Sequence, residues 1–461
     1  MTYPEVLLAA LRLHPAPWLF FFYLKDKNFS SFRLFLYNYI LIRILSEFFM
    51  SSRFLSTLTR AEFTKLLQQF NATPDESIAF SESLDRILAA DLTACEDLPA
   101  GDRSCMDGYA LAAADTFGAG EGNPAYLECR HCIEVNVFPN FSLQPGECAW
   151  IPTGGFLPPG ADSVVMVEYT HDIGDGTIEV RRSLAPGENL MFRGEDARKG
   201  SPLLKRGTRL RVPEMGLLAA LGLTQIRVHR RPRVAILSTG DEIVPVEAQP
   251  RPGEMRDVNS HAVAAMVMQA GGVVEPLGIV RDDLEALRDA LERGLKNSDA
   301  LLLSGGSSKG TRDHTLDAIA QLPGAQILAH GVAMAPGKPT ILARVGAKPI
   351  LGLPGQVGSA QIVMLVLGQP LVRHLAGDGR AFDESRRSLR RALLTRNVPS
   401  SQGREDYLRV RLEETADGLL AHPVMGKSGL LRTLLHSDAL LVISAETEGL
   451  LEGRPVDVWL I

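Results

Sequence analysis

Three stretches of the sequence join an aliphatic run of strand length to a small-residue turn. Val234 to Leu237 leads into Ser238-Thr239-Gly240-Asp241-Glu242, and Ala300 to Leu303 into Ser304-Gly305-Gly306-Ser307-Ser308-Lys309-Gly310. Ile350 to Leu353 leads into Pro354-Gly355-Gln356, followed by an apolar helix pattern from Val357 to Leu367. Glycine lets backbone approach a ligand closely, and a helix starting after such a turn offers free N–H groups to an anion. Three such turns in one domain point to a phosphate-bearing or nucleotide-like ligand. Acids gather in the same places: Asp241 and Glu242 after the first run, Asp282 and Asp283 after Val280-Arg281, and Asp313 beyond the second turn. Carboxylates repel phosphate unless a cation intervenes, and Mg²⁺ is the hard ion that bridges the two. Capping is the alternative role for Asp282 or Asp283, ahead of a helix Leu284–Arg293 that Gly294 would close. Lys338, in Pro336-Gly337-Lys338-Pro339, is a cation between rigid neighbours, suited either to an anion or to solvent.

The elements that must position these groups lie between residues 232 and 378. Strand-like runs alternate with helical patterns there, which predicts βαβ units and a doubly wound parallel sheet with ligands outside the strands' carboxyl ends. Val273–Val280 reads as a strand, and His261 to Ala270 as a helix capped by Asn259 or Ser260 and closed by Gly271-Gly272. No Gly-x-x-x-x-Gly-Lys-Ser/Thr loop occurs, and no Gly-x-Gly-x-x-Gly follows a strand, so NTPase and dinucleotide-dehydrogenase chemistry are disfavoured. Ala421-x-x-x-x-Gly426-Lys427-Ser428 approaches the former but has no βαβ unit of its own.

Elsewhere the pattern changes. Residues 1–52 are apolar and aromatic-rich, but Arg43 and Glu47 interrupt the longer run, so neither run reads as a membrane span. The expectation is a mis-assigned start with Met50 as first residue, the alternative being a membrane-surface segment. From 53 to 98 the reading is helical: Thr59-Arg60-Ala61-Glu62 is a capping box opening a helix through Phe70, and Ser81–Leu92 suggests a second. Residues 102–186 read as a β-rich insertion of short strands and turns. Pro213 sits at a helix start, with Glu214–Leu221 ending at Gly222. Beyond Gly379, Tyr407–Leu412, Leu440–Ser444 and Val456–Ile461 predict a small β-barrel or sandwich. A formal net charge of −6 argues against a nucleic-acid binder. Five scattered cysteines suit a reducing cytoplasm, and Cys129-x-x-Cys132 lacks the partner pair of a zinc site.

The ordered set Ser-Thr-Gly-Asp-Glu (238–242), Ser-Gly-Gly-x-Ser-x-Gly-x-x-Asp (304–313), Pro-Gly-Lys-Pro (336–339) and Leu-Pro-Gly (353–355) resembles the molybdopterin molybdenumtransferases, the MoeA and gephyrin E-domain family. Upstream, Met106-Asp107-Gly108-Tyr109-Ala110, Pro152-Thr153-Gly154 and Arg193-Gly194-Glu195-Asp196 extend the resemblance. It implies a multidomain α/β plus β fold: a linker domain from 53–101 and 187–231, the insertion at 102–186, a three-layer molybdopterin-binding domain at 232–378 and a C-terminal β domain at 379–461. It implies insertion of molybdate into adenylylated molybdopterin with release of AMP. Ser304, Gly305 and Gly306, with Lys338, Pro354, Gly355 and Ser428, would bind the pterin nucleotide. Glu242, Asp282 and Asp313 would act in catalysis and hold Mg²⁺. Asp107 and Thr153 would complete the site of a neighbouring subunit and help position molybdate or an attacking water, which implies a homodimer; the counterpart of Asp196 also belongs to the site, and the location implied is cytoplasmic. Contact with the adenylyltransferase and with cofactor-accepting enzymes is also implied, and no contact with membrane or nucleic acid. Gly331 and Ala335 depart from the pattern, since many relatives place basic residues there, and Gln356 replaces a common asparagine. These departures leave two alternatives: a tungstate-preferring paralogue, or a pterin-nucleotide binder without turnover. An ATP-consuming adenylyltransferase is a third reading, disfavoured by the single α/β domain.

Overall fold

The computed structural model describes residues 57–305 and 314–461. The readings made of residues 1–52, Gly306 and Asp313 lie outside the described residues. The α/β region is a six-stranded sheet built of β1 (Arg233–Thr239), β2 (Val273–Val280), β3 (Ala300–Ser304), β4 (Ala325–His330), β5 (Ile341–Val345) and β6 (Lys348–Leu353). Their order is β2-β1-β3-β6-β5-β4. β2, β1, β3 and β6 run parallel, while β5 is antiparallel to both β6 and β4. Strand alternation builds two cores. Val234 and Ile236 of β1 pack with Val263 and Val267 of helix α1 (Asn259–Gln269). Ala235 and Leu237 turn to the opposite face, against Leu287 and Leu291 of helix α2 (Leu284–Asn297). Helix α3 (Thr315–Ala320) joins the second face, and α4 (Val357–Val363) the first. This is the three-layer, doubly wound arrangement expected, except that the sheet is mixed rather than wholly parallel, because β5 runs antiparallel between β6 and β4.

Several local expectations are corrected. The first turn is not followed by a helix: Ile243–Val244 pairs with Met255–Arg256 before α1 begins. α1 starts at Asn259, and the side chain that accepts from the Ser260 N–H is Asp257, at 3.1 Å. Asp283 is the cap of α2, accepting from the Ala286 N–H at 2.9 Å, so Asp282 is not needed for capping. Gly294 does not end α2, which runs on to Asn297. A Cβ at Gly294 would meet Leu277 Cδ1 at 2.6 Å and Leu301 Cδ1 at 2.9 Å, so glycine is there for packing. The helix from Val357 widens into a π turn over Met364–Gly368 before continuing as Gln369–Leu375. Pro370, which lacks an N–H, falls in the first turn of that continuation.

In the linker region the helix spans Arg60–Leu67, opened by both halves of the Thr59/Glu62 capping box and stopping short of Phe70. Ser81–Leu92 is not helical. Asp75–Ala79 is a strand paired with Gln225–His229, Phe80–Glu82 is a 3₁₀ turn, and Leu92–Thr93 pairs with Pro202–Leu204. These ladders join the segments before and after the insertion around Leu88, Leu210, Leu218, Ile226 and Val228. The second linker helix spans Val212–Ala220 with Pro213 in its first turn. The insertion is a six-stranded sheet with central strands Glu147–Ile151 and Ala125–Cys132.

The C-terminal strands close into a barrel. Leu389–Leu394 pairs with Gly418–Pro423, then come Glu405–Thr415, Ala439–Ile443 and Pro455–Leu460, which pairs back to the first. Met334–Ala335 of the α/β region adds in parallel to Glu405–Asp406 at this barrel. No helix among the described residues is long and apolar enough to cross a membrane.

Candidate functional site

The parallel strands β1, β2, β3 and β6 end at one edge, so the turns that follow them are neighbours by topology. Hydrogen bonds join those turns. Thr239 Oγ1, ending β1, donates to Asp282 Oδ1 beyond β2 at 2.6 Å. The Asp282 N–H reaches Asp241 Oδ1 at 3.4 Å. Asn259 Nδ2, at the start of α1, donates to Ser304 Oγ at 2.6 Å and to the Gly355 carbonyl at 2.8 Å. One amide therefore ties the end of β3 to the turn after β6. Beneath it, buried Asp257 accepts from Ser238 Oγ at 2.9 Å and Ser260 Oγ at 2.6 Å.

Two glycines set how closely these turns approach. Gly305 has φ 106°, and a Cβ there would lie 2.2 Å from the Thr239 carbonyl oxygen. A Cβ on Gly355 would reach Gly305 Cα at 3.7 Å, so the second and third turns face each other. Ser304 is buried, Pro354 is buried, Gly305 and Asp282 are half-buried, and Asp241, Glu242 and Gly355 are exposed. Asn259 Oδ1 is buried and has no hydrogen-bond partner among the described residues.

Two further segments come to this edge. β5 starts beside the end of β6 (Ile341 opposite Gly352) and beside the end of β4 (His330 opposite Ile341), so the loop 331–340 carrying exposed Lys338 lies at the same edge. From the C-terminal region, Ser428 Oγ donates to Gln356 Oε1, and the Ser428 carbonyl accepts from the Gly358 N–H at 2.8 Å. The glutamine that departs from the family's asparagine is therefore the partner of the candidate serine.

Asp107, Thr153 and Asp196 form a separate set. Asp107 Oδ1 accepts from the Thr153 N–H at 2.6 Å and from Thr153 Oγ1 at 2.9 Å. Those bonds, the backbone one first, hold the exposed Asp107 carboxyl below its ordinary pKa. Asp196 is exposed, its N–H bonded to the Leu98 carbonyl at 3.0 Å. No hydrogen bond among the described residues links these three to the strand-end turns. Sequence reasoning missed Asn259, Thr239 and Asp257; Asp257-x-Asn259-Ser260 reads as a helix start, and nothing local reveals its reach to β3 and β6.

The arrangement brings the backbone of the glycine turns, suited to an anion, beside carboxylates that suit a hard cation. No group of three or more His, Cys, Asp or Glu side chains poised to hold a metal occurs among the described residues. Three family models match in chain order: the MoeA N-terminal region (domain I and II) over residues 58–222, the probable molybdopterin binding domain over 235–374, and the MoeA C-terminal region (domain IV) over 391–461. A molybdopterin molybdenumtransferase of Bacillus subtilis is 34% identical over 391 residues, covering 84% of this chain and 90% of the relative. The chain belongs to the MoeA family. A second relative, the molybdopterin molybdenumtransferase of Nostoc sp., is 34% identical over 378 residues, or 80% of this chain and 85% of the relative. A crystal structure of the molybdopterin biosynthesis moeA protein from Pyrococcus horikoshii OT3 superposes with a TM-score of 0.74 at 28% identity, covering 88% of this chain and all of that one. Against the MoeA pattern, Gly331 is buried with φ 118°, and Leu58 N–H donates to its carbonyl at 3.2 Å. A long basic side chain would be strained there, so the departure at this position is built into the backbone.

Proposed function

We propose that this chain is a molybdopterin molybdenumtransferase, taking adenylylated molybdopterin and molybdate and releasing AMP. What carries the reading, in a chain of this family, is the convergence of the strand-end turns through Asn259, with Asp282 and Glu242 beside them. The backbone at Ser304 and Gly305, with Gly306, cradles the phosphates. Lys338 balances their charge, and Pro354, Gly355 and Ser428 shape the wall on the β6 side. Glu242 and Asp282 fit Mg²⁺, because this ion is commonly held by one or two carboxylates with phosphate oxygens and water completing its shell. With Asp313 they would hold it, and it would neutralise charge on the phosphate being cleaved. Asp107, ionised and held by Thr153, faces the reacting oxyanion from a second copy of the chain, as does Asp196; the protein works as a homodimer. Molybdate enters as substrate, and the finished cofactor passes to an acceptor enzyme.

The experiment is in vitro insertion with adenylylated molybdopterin, Mg²⁺ and either molybdate or tungstate, reading AMP release and active cofactor separately. Wild-type protein releases AMP and forms cofactor, while Asp107→Ala and Glu242→Ala each lose roughly a hundredfold or more. Full activity in both variants would overturn the residue roles. Tight binding without AMP release would leave a pterin-nucleotide binder, and a preference for tungstate would revise the oxyanion.

A further inference from the structure

A second concentration of charge lies at the opposite edge of the α/β sheet. Arg231 precedes β1, and Ala270 and Gly271 precede β2, so both mark the amino ends of the strands. Two adjoining cavities open here, of about 320 and 200 Å³, and Arg209, Arg373 and Asp378 line both. The first also reaches Arg386 and Trp459, the second Arg231. The lining is thus drawn from the linker (Arg209), the α/β region (Arg373) and the start of the C-terminal region (Arg386).

The arginines here are not all matched by acids. Arg209 pairs with Asp85 at 3.0 Å, and Arg386 with buried Asp378 at 3.3 Å. Arg373 and Arg231 have no hydrogen bond or ion pair to their guanidinium groups among the described residues. Burial is the largest influence on Arg373 and lowers its pKa; the Asp378 carboxylate opposes that, and the charges of Arg209 and Arg386 add to it. Arg373 itself is exposed, so its guanidinium is open to a ligand from solvent. A guanidinium fork facing like charges in a concave site gains most from a multivalent oxyanion, which several forks can hold in bidentate contacts. Water and monovalent anions satisfy such an arrangement less well.

We propose that this cavity is a binding site for a small tetrahedral oxyanion of the phosphate class, with Arg373 as its central donor. The site is independent of the strand-end turns: β1 alone, seven residues long, separates the two edges by roughly 20 Å. Because its walls come from three regions of the chain, an anion here also ties those regions together.

The test uses the full-length protein and inorganic phosphate, followed by isothermal titration calorimetry and thermal melting. Phosphate is expected to bind saturably and raise the melting temperature in the wild type. Arg373→Gln should weaken binding by about tenfold or more, and Arg373→Lys, which keeps charge without the fork, by less. Should Arg373→Gln fail to fold, Arg231→Gln takes its place, with a smaller expected loss. Molybdate is titrated in parallel: displacement of phosphate by molybdate would identify the same tetrahedral class. Absence of saturable binding would overturn the proposal, as would saturable phosphate binding that Arg373→Gln leaves unchanged. Neither result depends on the transferase activity.

Discussion

At the scale of single residues, the carboxylate of Asp107 makes the clearest pH statement. Its pKa is lowered by the Thr153 N–H and, second, by Thr153 Oγ1. The bonded anion is favoured above the ordinary carboxylate range, and that advantage is lost as pH falls through the lowered value. Thr153→Val keeps the backbone donor and removes the hydroxyl. The Asp107 pKa should then rise part of the way to the ordinary value, as a carboxyl NMR titration would read. Asn259 is the other telling residue. Asn259→Asp keeps the shape but replaces the donor to Ser304 and Gly355 with a second acceptor. AMP release should fall by roughly tenfold or more, with little change in circular dichroism; unchanged turnover would remove Asn259 from the site. Cys129 carries a quieter prediction. It faces Cys148 across parallel strands, and hydrogen bonding by the Cys148 thiol pulls Cys129 down to about 6. Cys148→Ala should move the alkylation midpoint of Cys129 up toward about 8.5.

At the scale of elements, two glycines that look like punctuation have packing duties. Gly294→Ala, in mid-helix, would gain helix propensity on a free surface. Here its Cβ would lie 2.6 Å from Leu277 Cδ1, so the melting temperature should fall instead. Gly305→Ala combines a left-handed φ with a contact of 2.2 Å to backbone and should cost about 3 kcal/mol or more, read by denaturant titration. The α/β layer was legible because its signal is local: β2 is Val273–Val280 as read, and the apolar runs of β1, β3 and β6 announce themselves. Three of the five barrel strands were legible, Tyr407–Leu412 through period-two alternation and Leu440–Ser444 and Val456–Ile461 as short apolar runs, whereas Leu389–Leu394 and Gly418–Pro423 were not. Asp75–Ala79 was not, because a short two-stranded ribbon with polar residues carries no apolar alternation. The site was legible in its turns but not in its fastening. Asn259 lies 45 and 96 residues from its two partners, and Ser428 lies 72 from Gln356. No periodicity encodes contacts of that separation.

At the scale of the whole molecule, the strand-end turns and the Asp107–Thr153 pair belong to different regions of the chain, and the proposed dimer brings them together. A mixture of Asp107→Ala and Glu242→Ala subunits, each inactive alone, should regain activity on exchange if one subunit supplies Asp107 to the other's Glu242. Recovery failing under conditions where light scattering shows mixed dimers would place all the groups in one subunit. The barrel has a further consequence. Closure leaves its five strands no free edge, yet Met334–Ala335 adds to it, Glu405 N–H bonds the Ala333 carbonyl at 2.9 Å, and Ala333 N–H bonds the Leu58 carbonyl at 2.7 Å. Residue 58, the loop leading to Lys338 and the barrel thus share one seam. A protease that nicks the connection near 379–388 should release no separate C-terminal fragment under native conditions. Pulled apart between residue 58 and the barrel, the chain would meet its resistance at this seam, and the lysine loop would lose its shape only when the seam tears.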